Sequence, residues 1–95
     1  MGSIVISATV RAKLKQMHNV TRSEVCECFD NRCGMLLIDD REQHRRDPPT
    51  LWFIADTNIG RSLKVVFQVR DGNMHVITAY EANDIEMRIY ETMGK

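Results

Sequence analysis

Net charge of either sign is the first thing this sequence lacks: thirteen Lys and Arg are matched by thirteen Asp and Glu. A polyanion therefore meets no overall attractive field, and any nucleic-acid contact has to rest on a local patch. Long apolar runs are missing too. The longest are a few residues, such as Met35-Leu36-Leu37-Ile38, against the roughly 20 that span a bilayer, so no membrane segment is expected. The N-terminus has no charged start leading into a long apolar stretch and a small-residue cleavage site, and nothing there addresses the chain for export. Three cysteines, Cys26, Cys28 and Cys33, crowd one short segment. An odd, crowded set is a poor disulfide framework, and a reducing cytoplasm is the expected setting. There is no second C-x-x-C or H-x-x-x-H pair to complete a zinc site, no glycine-rich phosphate loop, no nucleotide fingerprint and no Ser-His-Asp ordering. No metal or cofactor is expected. Internal repeats and low-complexity segments are absent.

What is present reads as one globular domain spanning residues 1–95, with the first two or three residues reading as a cloning remnant. Its 43% hydrophobic and 27% charged residues match ordinary globular usage. Ser3 to Ile6 is short and β-branched, a first strand. From Ser7, a capping residue, the apolar Val10, Leu14 and Met17 recur at helical spacing up to His18-Asn19, where Asn tolerates the left-handed turn that ends helices. Thr21-Arg22-Ser23-Glu24 forms a capping box for a second helix with Val25, Cys28 and Phe29 on one face, ending near Asp30-Asn31. Met35 to Ile38 reads as a strand and Asp39 to Pro49 as a long polar loop.

Thr50 to Tyr80 reads as an antiparallel meander. Asp71-Gly72 is a strong two-residue hairpin signal, and counting outward from it pairs Arg70 with Asn73, Phe67 with Val76, Val65 with Thr78 and Leu63 with Tyr80. Asn58-Ile59-Gly60 makes the earlier turn, with Gly60 left-handed and Thr57 facing Arg61. Leu51, Phe53 and Ala55 then share the core side, while Trp52, Ile54, Val66 and Ile77 form an apolar patch on the other, covered by a helix of this chain or by a partner. Asn83-Asp84-Ile85-Glu86 caps a terminal helix whose Ile85, Ile89, Tyr90 and Met93 are expected to dock on the sheet. The class is α+β: an antiparallel sheet, three meander strands plus one or two short ones, packed with N-terminal helices and a C-terminal helix.

His18, His44 and His75 are the side chains whose ordinary pKa lies near neutrality, and so the natural general acids or bases. Each has a structural alternative: His18 at a helix C-terminus, His75 on a solvated strand beside Gln68, His44 in the polar loop. Arg61, Lys64 and Arg70 lie on one strand, either to hold phosphate or as ordinary surface charges paired with Asp56, Asp71 and Glu81.

Two stretches carry a family resemblance. Lys15-Gln16-Met17-His18-Asn19-Val20-Thr21 with Glu24-Val25 resembles the "K-x-x-K-H-G-V-x-x-E-E" opening of BrnT-type toxins, a branch of the RelE/ParE superfamily. Gly60-Arg61-Ser62-Leu63-Lys64-Val65-Val66, Arg70, Val76-Ile77-Thr78-Ala79-Tyr80 and Glu86 to Tyr90 resemble that family's "G-R-x-L-x-V-V", "R", "I-I-S-A-R" and closing "E-x-x-x-Y". The resemblance implies a RelE/BrnT-like fold and a metal-independent ribonuclease, cleaving RNA free or on the ribosome and neutralised by a cognate antitoxin. It implies that Arg61, Arg70 and Lys64 stabilise phosphate, that His18 matches the helix-end histidine and His44 the loop histidine, and that His44 or His75 serves as base or acid. Tyr80 stands where the family has arginine, which implies stacking on a base or hydrogen-bond donation there. Two other readings stay open. One is a non-catalytic binding module of the same fold, with a homodimer as one outcome, using the face around Trp52. The other is a small hydrolase of ADP-ribosylated protein, suggested by the Asp47-Pro48-Pro49-Thr50-Leu51-Trp52 run.

Overall fold

The computed structural model describes residues 2–38 and 49–94; the polar loop's His44 lies outside them. Chain order is β1 (Ile4–Val5), α1 (Ala8–His18), α2 (Arg22–Asn31), β2 (Leu37–Ile38), β3 (Thr50–Asp56), β4 (Ser62–Arg70), β5 (Asn73–Glu81) and α3 (Asp84–Met93). The strands form one sheet in the order β1-β5-β4-β3-β2. β2 to β5 are antiparallel neighbours, but β1 runs parallel to β5, pairing Ile4 with Met74. The sheet is therefore mixed rather than antiparallel throughout, because α1 and α2 return the chain to the far edge. Ser3 ties β1 down, its N–H donating to Asn73 Oδ1 at 3.0 Å and its carbonyl accepting from Met74 N at 2.8 Å.

The helix ends form as the sequence dictates. Ser7 accepts from Val10 N, Asn19 takes the left-handed conformation at φ 53°, and both capping boxes, Thr21 with Glu24 and Asn83 with Glu86, are complete. Gly60 sits at φ 86°, which costs glycine nothing and an L-residue strain.

α2 covers one face of the sheet. Phe29 meets Phe53 and Phe67 edge to face, at centroid distances of 4.9 and 5.3 Å. Around them Leu14, Val20, Val25, Cys28, Leu63, Val65 and Ala79 are buried. Each large apolar side chain removed from water here contributes about 1.5–3 kcal/mol. α3 covers the other face, with Tyr90 5.7 Å from Trp52.

Three expectations are corrected. A β-bulge interrupts the β4–β5 ladder: Phe67 still pairs with Val76, but Val66 then pairs with Thr78, Val65 with Ala79 and Lys64 with Tyr80. Ile77 is the extra residue, and beyond it every side chain of β5 lies one position off the simple count. Tyr80 thereby leaves the core row and joins Lys64. Second, α3 docks through Tyr90, with Glu86 and Met87 half-buried, while Ile85 (70% exposed), Ile89 and Met93 look outward. What pulls the helix round is polar, the carboxylate of Glu86 on Lys64 and Tyr80. Third, Met17, placed on the apolar face of α1 by periodicity, is exposed.

Candidate functional site

Both capping-box glutamates do more than cap. In each, one carboxylate oxygen closes the box and the other receives a cation, from β4 for Glu86 and for Glu24 from Arg61, which lies just before β4 and not on the strand as expected. Glu24 accepts Thr21 N on Oε1 at 3.1 Å and Arg61 Nη1 on Oε2 at 2.7 Å. Glu86 accepts Asn83 N on Oε1 at 3.1 Å, and on Oε2 it takes Lys64 Nζ at 2.9 Å and the Tyr80 hydroxyl at 2.7 Å. The first turns of α2 and α3 are thus bound electrostatically to Arg61, at the entrance to β4, and to Lys64, three residues further along the chain.

The Glu86 cluster is largely enclosed, with the Lys64 and Glu86 side chains only 14% and 15% exposed. Lys64 Nζ lies 4.5 Å from the centroid of Trp52 and 5.9 Å from that of Tyr80, within cation–π range. The His18 ring stands 5.6 Å from that of Tyr80, tilted by 40°. Burial alone raises the pKa of Glu86, but hydrogen bonds from Tyr80, Lys64 and the Asn83 amide, with the charge of Lys64, outweigh it and hold the carboxyl below the usual range. Glu86 therefore stays ionised at neutral pH.

Arg61 sits next to this cluster, at the mouth of the β3–β4 hairpin. Its Nε donates to Glu81 at 3.0 Å, Nη1 to Glu24 and to the Asn19 carbonyl at 2.9 Å, and Nη2 to the His18 carbonyl at 3.5 Å. These bonds raise the pKa of the guanidinium, Glu24 contributing most, and keep it charged. Burial raises the pKa of Glu24, but the bonds from Arg61 and Thr21 prevail and lower it. An open cavity of about 530 Å³ beside Arg61 is lined by Glu24, Glu27, Glu81, Asn19 and Ile59 among others.

Arg70 lies at the opposite end of β4, six residues from Lys64, or about 20 Å along the strand, and His75 lies near it on β5. Arg70 Nε and Nη2 both donate to Gln68 Oε1, at 3.1 and 2.5 Å, and the buried Gln68 donates to Thr50 Oγ1 at 3.2 Å. His75 is half-buried opposite Gln68. Of the sequence candidates, then, His18, Arg61, Lys64 and Tyr80 come together, while Arg70 and His75 form a separate group. Among the described residues Arg61 and Lys64 are ion-paired, and Arg70 has a neutral partner.

The patch proposed for a partner is not an open surface. Trp52 and Val66 are each 9% exposed, Ile54 is half-buried, and Ile77 (39% exposed) is displaced from opposite Val66 by the bulge. Of the cysteines, Cys28 is buried, donates to the Ala55 carbonyl at 3.4 Å and has its pKa pushed up to about 12, chiefly by burial, so it is no nucleophile. Cys33 borders a second cavity of about 360 Å³ between α2, β3 and α3, with Asp56, Tyr90 and Glu91. Among the described residues no group of three or more His, Cys, Asp or Glu could hold a metal ion, and no helix is long and apolar enough to cross a membrane.

Glu24 and Glu86 are the site members that the sequence reading leaves out, whereas Glu81, an expected partner of the cations, does pair with Arg61, and Gln68 does lie opposite His75. Glu24 and Glu86 carry a sequence signal, the capping box, but it accounts for one oxygen of each. No family model matches this chain, and no curated protein shows significant similarity to it.

Proposed function

We propose that the chain is a metal-independent ribonuclease of the BrnT-like toxin type, with a RelE/BrnT-like fold, kept in check by a cognate antitoxin, and that its reacting groups are those around Glu86. The observation that carries this reading is the convergence of His18, Lys64 and Tyr80 from three different elements, two of them on one carboxylate. Cleavage of a phosphodiester by the ribose 2'-hydroxyl needs a base for that hydroxyl, a cation for the charge developing on phosphorus and an acid for the departing 5'-oxygen. His18 supplies an imidazole nitrogen as the base. Tyr80 can donate a hydrogen bond. Lys64 is the cation of the cluster, its charge shared with Glu86 in the ground state and turned to the phosphate only as charge develops there, and Glu86 keeps both groups of the sheet in register.

In this assignment the oxygen of the 2'-hydroxyl attacks phosphorus and loses its proton to the imidazole of His18. The bond from phosphorus to the 5'-oxygen breaks, leaving a 2',3'-cyclic phosphate, and the leaving oxygen takes its proton from solvent or from Tyr80. Growth arrest on expression, and cleavage of RNA by the purified protein in the presence of a chelator, test the reading. His18→Ala and Tyr80→Phe are expected to lower cleavage at least about 100-fold with the thermal midpoint little changed. Full activity in both variants defeats the assignment.

One observation favours the binding-module reading, moved to a different surface. Ile85, Ile89 and Met93 form an exposed apolar row on α3, whereas Trp52 lies beneath Tyr90. If Ile89→Glu abolishes neutralisation or partner capture while RNA is never cleaved by the wild-type chain, the module reading replaces the enzymatic one.

A further inference from the structure

We infer that Arg61 is a positioning residue for His18, and not a ligand for substrate phosphate. The inference rests on the ribonuclease reading for its consequence in cleavage, but its structural content stands apart from it. A guanidinium has five N–H donors. Four of Arg61's are directed at protein acceptors: Nε at Glu81, Nη1 at Glu24 and the Asn19 carbonyl, and Nη2 at the His18 carbonyl. Two carboxylates already surround the one positive charge, and Glu27 lines the same open cavity. A phosphate approaching from that side meets net negative charge.

The acceptors explain what the charge is for. The last carbonyls of a helix have no partner within it, and a cation at that end also answers the helix dipole. Arg61 fills both needs at the end of α1, where Asn19 turns left-handed, and with the same nitrogen it holds the capping glutamate of α2. It therefore fixes the corner between the two helices against β4 and, through Glu81, against β5. His18 is the last residue of α1, and its ring faces Tyr80 across this corner. Release of the clamp lets the end of α1 move, and a displacement of about 1 Å at a reacting group costs on the order of 100-fold in rate.

The decisive comparison sets Arg61→Lys and Glu24→Gln against the wild-type chain. A lysine cannot reach four acceptors spread around a planar fork, and Gln preserves the capping box while removing the charge that holds Arg61. As a clamp, both variants lower single-turnover cleavage of an oligoribonucleotide by at least about 10-fold, leave its affinity within about 2-fold, and weaken the ring-to-ring NOE between His18 and Tyr80 recorded without RNA. Their effects do not add, since they break one unit. As a phosphate ligand, Arg61→Lys largely retains activity, Glu24→Gln binds RNA more tightly, and Arg61→Ala reduces the slope of log affinity against log salt by about 1; that pattern overturns the inference. If the wild-type chain cleaves no RNA, the ribonuclease reading falls, and the NOE in the two variants still decides the clamp: an unchanged NOE overturns it.

Discussion

Replacement of Glu86 by alanine is expected to destabilise the fold by about 3 kcal/mol, and the figure can be built from its contacts. Loss of a capping-box partner costs about 1 kcal/mol. The remainder comes from Lys64, whose side chain is only 14% exposed and would keep a desolvated ammonium with no counter-ion. Breaking a fully buried pair costs roughly 3–5 kcal/mol; about 2 kcal/mol is appropriate here, since Lys64 retains the face of Trp52 and some access to water. In a domain of this size that corresponds to a fall in thermal midpoint of roughly 12–24 °C. Urea denaturation at constant m-value measures the free energy directly. Glu86→Gln, which preserves the cap, should cost about half as much. The refinement that isolates the charge is Lys64→Met in the Glu86→Ala background, which should recover at least about 1 kcal/mol because it removes the stranded cation. If Glu86→Ala lies within 1 kcal/mol of wild type, or if Lys64→Met only adds to its damage, the ion pair does not hold α3 to the sheet.

The remaining expectations concern acid, core, turn and thiols. Glu24 and Glu86 have folded pKa values below their ordinary range, so their stabilisation is present in full above the unfolded-state values and is lost as pH falls through the folded ones; equilibrium unfolding from neutral pH into the acid range should show wild-type stability converging on that of Glu86→Gln. Phe67→Ala, at the centre of the aromatic cluster under α2, should cost about 3–5 kcal/mol in the same assay. Gly60→Ala, in open space but at φ 86°, should cost about 1 kcal/mol, all of it backbone strain. With an alkylating reagent under native conditions, Cys33 should be modified first and Cys28 only at the rate of unfolding; prompt labelling of Cys28 would show that its cover over Ala55 opens readily.

Local signals that depend on a few adjacent residues are legible in the sequence. Ser7, Thr21-Glu24 and Asn83-Glu86 start the helices, Asn19 ends one, and Asp71-Gly72 sets the hairpin, because caps and turns answer to backbone geometry within four residues. The α+β class follows from them. The orientation of α3 does not, because apolar periodicity points to Ile85, Ile89 and Met93 while the docking contact is an ion pair between residues 22 positions apart. The direction of β1 is equally hidden, since two residues cannot specify parallel or antiparallel pairing. Residue type nominates His18, Arg61 and Lys64, the family resemblance nominates Tyr80, and Glu81 is already an expected partner, but the pairing of Arg61 with Glu24 and of Lys64 with Glu86 emerges only when the helix termini meet the sheet. Arg61 illustrates the limit best: the sequence leaves both a phosphate ligand and an ion-paired charge open, and only the structure traces its donors to Glu24, Glu81 and the carbonyls of His18 and Asn19.

The bulge at Ile77 acts as a phase shift within a single strand. On the Asp71-Gly72 side of it β5 keeps the parity set by the turn, and on the other side parity is inverted. The inversion brings the Tyr80 hydroxyl to Glu86 and sends the small Ala79 to the packed face beside Val65. The same chain with Ile77 drawn into the ladder and no bulge would keep its hairpin and its composition, yet it would present tyrosine to Leu63 and alanine to Lys64. Relatives of this protein are therefore best aligned with a gap allowed at position 77, because a single uncounted residue there exchanges the interior of the strand for its chemistry.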